Sequence, residues 1–226
     1  IDETPGSPGP GEVRVRVHWS GVNPSDVKSR AGLRSKVLPF PRVVPHSDGM
    51  GVIDAVGEGV SADRIGQRAW LWNAAWGRPR GSAAQSICLP AAQAVEYPSS
   101  EPDEGGACLG IPALTALFGL WCHGGVAGQT VLVAGGAGAV GHYAVQMARL
   151  MGAARILATV SSADKARIAQ AAGADVCIDY RREDVAARVR EATGGRGVDR
   201  VLEVDLAANG AMDAELLRPG GLLIVS

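Results

Sequence analysis

The run Val131-Leu-Val-Ala-Gly-Gly-Ala-Gly-Ala-Val-Gly141 leads straight into Tyr143-Ala-Val-Gln-Met-Ala-Arg-Leu150. A short apolar stretch followed by helical spacing places Gly136, Gly138 and Gly141 in a strand-to-helix turn, the setting of a dinucleotide fingerprint. Gly136 is expected to allow the tight turn, Gly138 to let the backbone approach a pyrophosphate, and Gly141 to permit close packing of helix on strand. The helix start, with Ala139 and Val140, then offers free N–H groups and a positive dipole end to phosphates. Arg155-Ile-Leu-Ala-Thr-Val160 supplies the second strand of a βαβ unit, which sets this segment apart from an ordinary glycine-rich turn.

The end of that second strand bears on which dinucleotide is bound. An acidic residue there would hold a ribose 2′-hydroxyl, but the strand ends in Thr159-Val160-Ser161-Ser162. The nearest acid, Asp164, falls in the opening of the next helix, where Ser162-Ala-Asp-Lys165 reads as a capped first turn. Hydroxyls and Lys165 can meet a 2′-phosphate, which a carboxylate at that point would repel. The expected cofactor is therefore NADPH.

A net charge of −1 with 4% aromatic residues and no basic stripe argues against a nucleic-acid partner. No apolar run reaches the roughly 20 residues that a bilayer span needs, so no membrane partner and a cytoplasmic location are expected. Cys88, Cys108, Cys122 and Cys177 are scattered without a Cys-x-x-Cys pair, which favours reduced thiols over a disulfide framework or zinc site.

The pattern changes near residue 120. Before it, Glu12-Val-Arg-Val-Arg-Val-His18 alternates apolar and polar residues as a half-buried strand does, and Met50–Val56 and Ser86–Leu89 read as further strands between Gly- and Pro-bearing turns. Beyond residue 128, strands at 130–134, 155–160, 175–179, 199–204 and 221–226 alternate with helices near 139–152, 162–173, 183–193 and 209–217. Alternation of this kind implies a doubly wound parallel sheet, and the chain is assigned to the α/β class with a β-rich first domain over 1–120 and a Rossmann domain over 121–226.

Several ordered motifs carry a family resemblance across nearly the whole chain: Ser20-Gly-Val-Asn-Pro-Ser-Asp26 with Arg30-Ala-Gly32, Pro45-His-Ser-Asp-Gly-Met-Gly51, Val56-Gly57 with Ile65-Gly-Gln-Arg68, Cys108-Leu-Gly-Ile-Pro-Ala-Leu-Thr-Ala116, and the fingerprint. The chain resembles the medium-chain dehydrogenase/reductase superfamily, and within it the zinc-free zeta-crystallin-like quinone oxidoreductases. The resemblance implies a GroES-like substrate domain joined to the Rossmann domain, an active site in the cleft between them, and a homodimer or homotetramer. Members continue beyond a fifth Rossmann strand and return to complete the first domain, so Ile1 and the ending at Ser226 are expected to mark a truncated sequence.

Zinc-dependent relatives place a Cys where this chain has Asn23 and a His-Glu pair where it has Ser47-Asp48, and the structural four-cysteine lobe is missing, so no metal is expected. Without a metal, the suitable chemistry is hydride delivery from NADPH to an acceptor already electron-poor, a quinone or an α,β-unsaturated carbonyl. The resemblance puts Asn23 beside the nicotinamide ribose or the substrate oxygen as the catalytic residue, Thr115 near the nicotinamide, and Ser161, Lys165 and Tyr180 on the 2′-phosphate and adenine ribose. Trp70, Trp72 and Trp76 are candidates for the acceptor pocket. Taken alone, Asn23 before Pro24 also reads as a turn pair, Thr115 as a helix-interior threonine, and Tyr180 as a surface tyrosine.

Two departures from the family stand out. His46 occupies a position where many members have glycine, costly if the backbone there needs positive φ. Lys28 and Arg34 stand where some members have aromatic side chains, which makes a tyrosine-assisted enoyl-thioester reduction the lesser alternative. An NADPH-binding structural or regulatory protein without turnover is a second alternative, and a zinc-dependent alcohol dehydrogenase a third.

Overall fold

The computed structural model describes residues 6–33 and 35–226, so Ile1 and Arg34 lie outside the described residues. Two compact units are present, Ile1–Ile111 and Pro112–Ser226.

In the first unit, β1 (Glu12–Gly21) buries Val13 and Val15 completely and leaves Arg14 between them on the other face. That period-two pattern fixes which face meets the core. β1 pairs antiparallel with β2 (Asp48–Val56) and β4 (Ser86–Pro90), and the sheet is completed by β3 (Arg68–Leu71) and β5 (Ala94–Glu96) in the order β4-β1-β2-β3-β5. Val13, Val15, Ile53, Leu71, Ile87 and Leu89 form its core. Each such side chain contributes roughly 1.5–3 kcal/mol on burial. A short helix, α1 (Pro24–Arg30), follows β1 with Asn23 as its N-cap and proline at its first position, where the missing N–H costs nothing. α2 (Asp103–Gly106) leads to α3 (Gly110–Trp121).

The unit boundary falls at Ile111–Pro112, in the first turn of α3, and not near residue 120. The reason is packing: Ala116 and Leu120 of α3 are fully buried in one cluster with Val131, Val133, Val145 and Ile156 of the second unit. Sequence composition marks where strands begin to alternate with helices, whereas the unit begins with the helix that packs under them.

The second unit is an all-parallel sheet of β6 (Thr130–Val133), β7 (Arg155–Val160), β8 (Val176–Asp179), β9 (Val198–Glu203) and β10 (Leu217–Val225), in the order β10-β9-β6-β7-β8. Val131, Val133, Ile156 and Ala158 point into one apolar cluster with Ala144 and Val145 of α4 (Ala139–Leu150) and Ala169 of α5 (Ala163–Ala172). The alternate residues Leu132, Leu157 and Ile178 point into another with Val185 and Val189 of α6 (Val185–Ala192) and Leu216 of α7 (Leu206–Leu216). Both faces are covered, which is why the central stretches Val131–Val133 and Ile156–Ala158 are apolar at every position. β6 is flanked by β7 on one side and β9 on the other, so the winding reverses there and opens a crevice at the carboxyl ends of the strands.

One strand start differs from the sequence reading, and one buried side chain has no counterpart in it. β10 starts at Leu217 instead of residue 221: Arg218-Pro-Gly-Gly221 looks like a helix-ending turn, but the chain carries it as an irregularity inside the strand, with Gly220 at φ 76°. Arg200, inside β9, is fully buried. Its Nη1 donates to the carbonyls of Gly119 and Leu120 at 2.8 and 2.9 Å and its Nη2 to Gly125 at 3.0 Å, satisfying the carbonyls at the end of α3. Among the described residues no helix is long and apolar enough to cross a membrane.

Candidate functional site

The fingerprint loop leaves β6 at the crevice. The residue that turns the chain is Gly135, at φ 63°, and not Gly136. Gly136 is required for space: a Cβ there would stand 2.5 Å from the Ala158 Cβ on β7. Gly138 is the N-cap of α4, its N–H donating to the Gly135 carbonyl at 2.7 Å and its own carbonyl accepting from His142 at 2.8 Å. A Cβ on Gly141 would lie 2.2 Å from the Gly135 carbonyl oxygen, so helix and loop approach as closely as backbones can. The N–H groups of Ala139 and Val140 occupy the first turn of α4, where no helical carbonyl can serve them. Among the described residues no side chain caps this end. The arrangement suits a bound phosphate.

At the end of β7, Ser161 is buried and its hydroxyl accepts a hydrogen bond from the Lys165 ammonium at 3.0 Å. Ser162 caps α5 by accepting from the Lys165 backbone N–H at 3.3 Å, so the first turn of the helix aims the lysine back at the strand end. Asp164 pairs instead with Arg167 on the exposed side of that turn. Tyr180 follows β8, with its N–H bonded to the Val160 carbonyl at 3.1 Å and its side chain half exposed. Ser161, Lys165 and Tyr180 therefore come together at one strand end.

Asn23, in the first unit, is buried, and its Nδ2 donates to Asp48 Oδ2 at 2.8 Å. Both oxygens of Asp48 accept the Ile111 N–H at 2.9 Å, which anchors the start of α3. Burial pushes the Asp48 carboxyl up from its ordinary range, and the Asn23 and Ile111 hydrogen bonds pull it back. A Cβ on Gly110 would lie 2.1 Å from Asp48 Oδ1, so only glycine fits at that position. His46 has φ 75°, with Nδ1 hydrogen-bonded to Ser20 Oγ at 2.8 Å, and Ser20 Oγ in turn lies 3.0 Å from Ser82 Oγ. Thr115 is half buried on α3, Trp70 and Trp72 are partly buried, and Trp76 is exposed.

The description "Alcohol dehydrogenase GroES-like domain" matches residues 9–99 and "Zinc-binding dehydrogenase" matches 139–226. The Pseudomonas aeruginosa quinone oxidoreductase is 33% identical over 99% of this chain and 67% of its own length. This chain is a medium-chain dehydrogenase/reductase of the quinone oxidoreductase-like kind. The 2-haloacrylate reductase of a Burkholderia species is 34% identical over 96% of this medium-chain dehydrogenase/reductase and 65% of its own length. The synaptic vesicle membrane protein VAT-1 homolog of Rattus norvegicus is 33% identical over 97% and 53%. The crystal structure of the Escherichia coli quinone oxidoreductase complexed with NADPH has a TM-score of 0.85 at 25% identity, covering 100% of this chain and 75% of that one. The chain spans about half to two thirds of the length of these curated relatives.

One matched description concerns zinc, which takes three or four ligands. Here the Asn23 amide and Asp48 carboxylate are bonded to each other and His46 Nδ1 to Ser20. Among the described residues no group of three or more His, Cys, Asp or Glu is placed to hold a metal ion. This donor set does not fit zinc. The phosphate-facing groups of the second unit, by contrast, fit a dinucleotide with a 2′-phosphate. Two contributors escaped the sequence reading: Gly135, which turns the loop, and Thr159, whose hydroxyl accepts the Gly135 N–H at 3.0 Å. The signal for Thr159 is a polar, β-branched residue directly after the apolar run Ile156-Leu-Ala158, one position before the end of β7.

Proposed function

We propose that this chain is part of an NADPH-dependent oxidoreductase that reduces a quinone or another electron-poor α,β-unsaturated carbonyl without zinc. The observation that carries the reading is the Lys165–Ser161 pair at the end of β7, a cationic and hydroxyl pair where an NAD enzyme would hold a carboxylate. Bound NADPH would supply the hydride and solvent the proton, giving a hydroquinone or a saturated carbonyl.

The chain's own residues bind and orient. The N–H groups of Ala139 and Val140, with the close backbone approach at Gly138 and Gly141, take the pyrophosphate. Lys165 and Ser161 take the 2′-phosphate through charge-assisted hydrogen bonds, beside Tyr180. Asn23 is assigned to the reacting oxygen and Thr115 to the nicotinamide. Asp48 fixes the Asn23 amide by accepting from its Nδ2, which sets which way the side chain faces. The Asn23–Asp48 pair, occupying positions where zinc-dependent relatives carry ligands, supports a metal-free reaction. Similarity to a 2-haloacrylate reductase and to quinone oxidoreductases supports an acceptor with an activated double bond.

The test is oxidation of NADPH by 1,4-benzoquinone, followed by nicotinamide absorbance beside NADH and in the presence of a chelator. Turnover that prefers NADPH and ignores the chelator is expected. Turnover abolished by the chelator would overturn the zinc-free reading, and NADPH binding without turnover on any quinone or enone would favour a nucleotide-binding role.

A further inference from the structure

We infer that Thr159 is a positioning residue for the phosphate-binding loop; the inference rests on the NADPH reading above and deepens it. β6 and β7 run in register through Val133 and Ala158, and one residue later β6 has left the sheet. Thr159 therefore stands level with the start of the glycine loop. Where the neighbouring strand ends, the loop's N–H groups lose their ladder partners and need others.

Thr159 provides both. Its hydroxyl oxygen accepts the Gly135 N–H at 3.0 Å, and its carbonyl accepts the Gly136 N–H at 2.9 Å. Gly135 is the residue with φ 63° that turns the chain toward α4, and its carbonyl in turn receives the Gly138 N–H at 2.7 Å. A single side chain thus holds the turn from which the helix start is hung. Thr159 is buried, and as a β-branched residue in a strand its χ1 is restricted, so the hydroxyl keeps its place before any ligand arrives. Ala158, the residue before it, lies against Gly136, and Ser161, two residues after it, carries the Lys165 contact. The end of β7 therefore supports the pyrophosphate loop with one residue and the 2′-phosphate group with another. Of these two, only the Gly135 bond depends on a side chain and can be removed by substitution, because the Gly136 bond goes to backbone.

The experiment compares wild type, Thr159→Val and Thr159→Ser in the whole chain. Valine keeps the shape and removes the acceptor, and serine restores it. Without ligand, exchange of the Gly135 amide is expected to quicken about tenfold in T159V and to return toward the wild-type rate in T159S. With ligand, calorimetry is expected to show T159V binding NADPH about tenfold more weakly, T159S within about threefold of wild type, and adenosine 2′-monophosphate, which reports Lys165 and Ser161 alone, unchanged in all three.

Unchanged Gly135 exchange or unchanged NADPH affinity in T159V would overturn the inference. Equal weakening of NADPH and adenosine 2′-monophosphate would also overturn it, since that pattern is a general loss of structure. If wild type binds adenosine nucleotides but gains nothing from the 2′-phosphate, the NADPH reading fails, while accelerated Gly135 exchange in T159V with weakened dinucleotide binding would still sustain the loop role.

Discussion

His46 shows how a single residue can be read correctly from sequence in form and only from structure in degree. The reading that a histidine stands where positive φ would favour glycine is met by φ 75°. What the sequence does not contain is the compensating partner: Ser20, which accepts or donates at Nδ1, lies 26 residues away along the chain and meets His46 only because β1 and β2 pair. Two substitutions separate strain from hydrogen bonding. Both His46→Ala and His46→Gly lose the Ser20 contact, but only glycine relaxes the left-handed backbone. H46G is expected to be more stable than H46A by about 1 kcal/mol in denaturant unfolding. Equal stabilities would show that the backbone there is not strained. Asn23 illustrates the converse. Its place before Pro24 reads in the sequence as a turn pair, while its role as the N-cap of α1 and the tertiary bond from its side chain to Asp48 appear only in the structure.

At the level of elements, β9 and α7 carry a pair of buried carboxylates that no local pattern announces. Glu203 accepts from the N–H groups of Val204 and Asp205 and from Asn209 Nδ2, so its charge is held by donors at the start of α7. Asp213, on α7 and equally buried, has Oδ2 without a hydrogen-bond partner among the described residues. Burial, with the Glu203 charge beside it, pushes Asp213 up to about 7. A carboxyl that keeps its proton in the folded state up to that pH, but loses it near its ordinary value when unfolded, makes stability fall as pH rises from about 4 to about 7, with no further loss above. Asp213→Asn removes that dependence. The difference in stability between D213N and wild type is therefore expected to move in favour of the variant across this window and to level off above it, measured by urea unfolding at several pH values. A difference independent of pH would contradict the assignment. The elements themselves were legible because β6 and β7 are apolar at successive central positions and α4 and α6 are amphipathic, whereas β9 buries Asp199, Arg200 and Glu203 among its apolar residues. The start of β10 is not legible because Arg218-Pro-Gly-Gly221 has turn chemistry; it is carried as an irregularity between the pairings of Leu217 with Val198 and of Leu222 with Arg200.

Across the whole molecule, the order of β-rich and alternating segments made two architectures readable, an antiparallel sheet and a doubly wound parallel one. The boundary was less readable, because α3 is apolar on several sides and only the packing of Ala116 and Leu120 shows that it belongs to the second unit. The same division governs the site. Residues within one βαβ unit, such as Gly138, Gly141, Ser161 and Lys165, are set by local chemistry at fixed spacing, whereas Thr159's hold on Gly135 needs two strands in register. The central claim is that the end of β7 selects a 2′-phosphate. Calorimetric titration of wild type and Lys165→Met with NADPH and NADH tests it most directly. A charge-assisted hydrogen bond is worth about 1.5–3 kcal/mol, or roughly 10- to 100-fold. Wild type is expected to prefer NADPH by at least tenfold, and K165M to lose that preference with NADH affinity unchanged. Equal affinity of wild type for the two cofactors, or a K165M substitution that weakens both alike, would contradict the account.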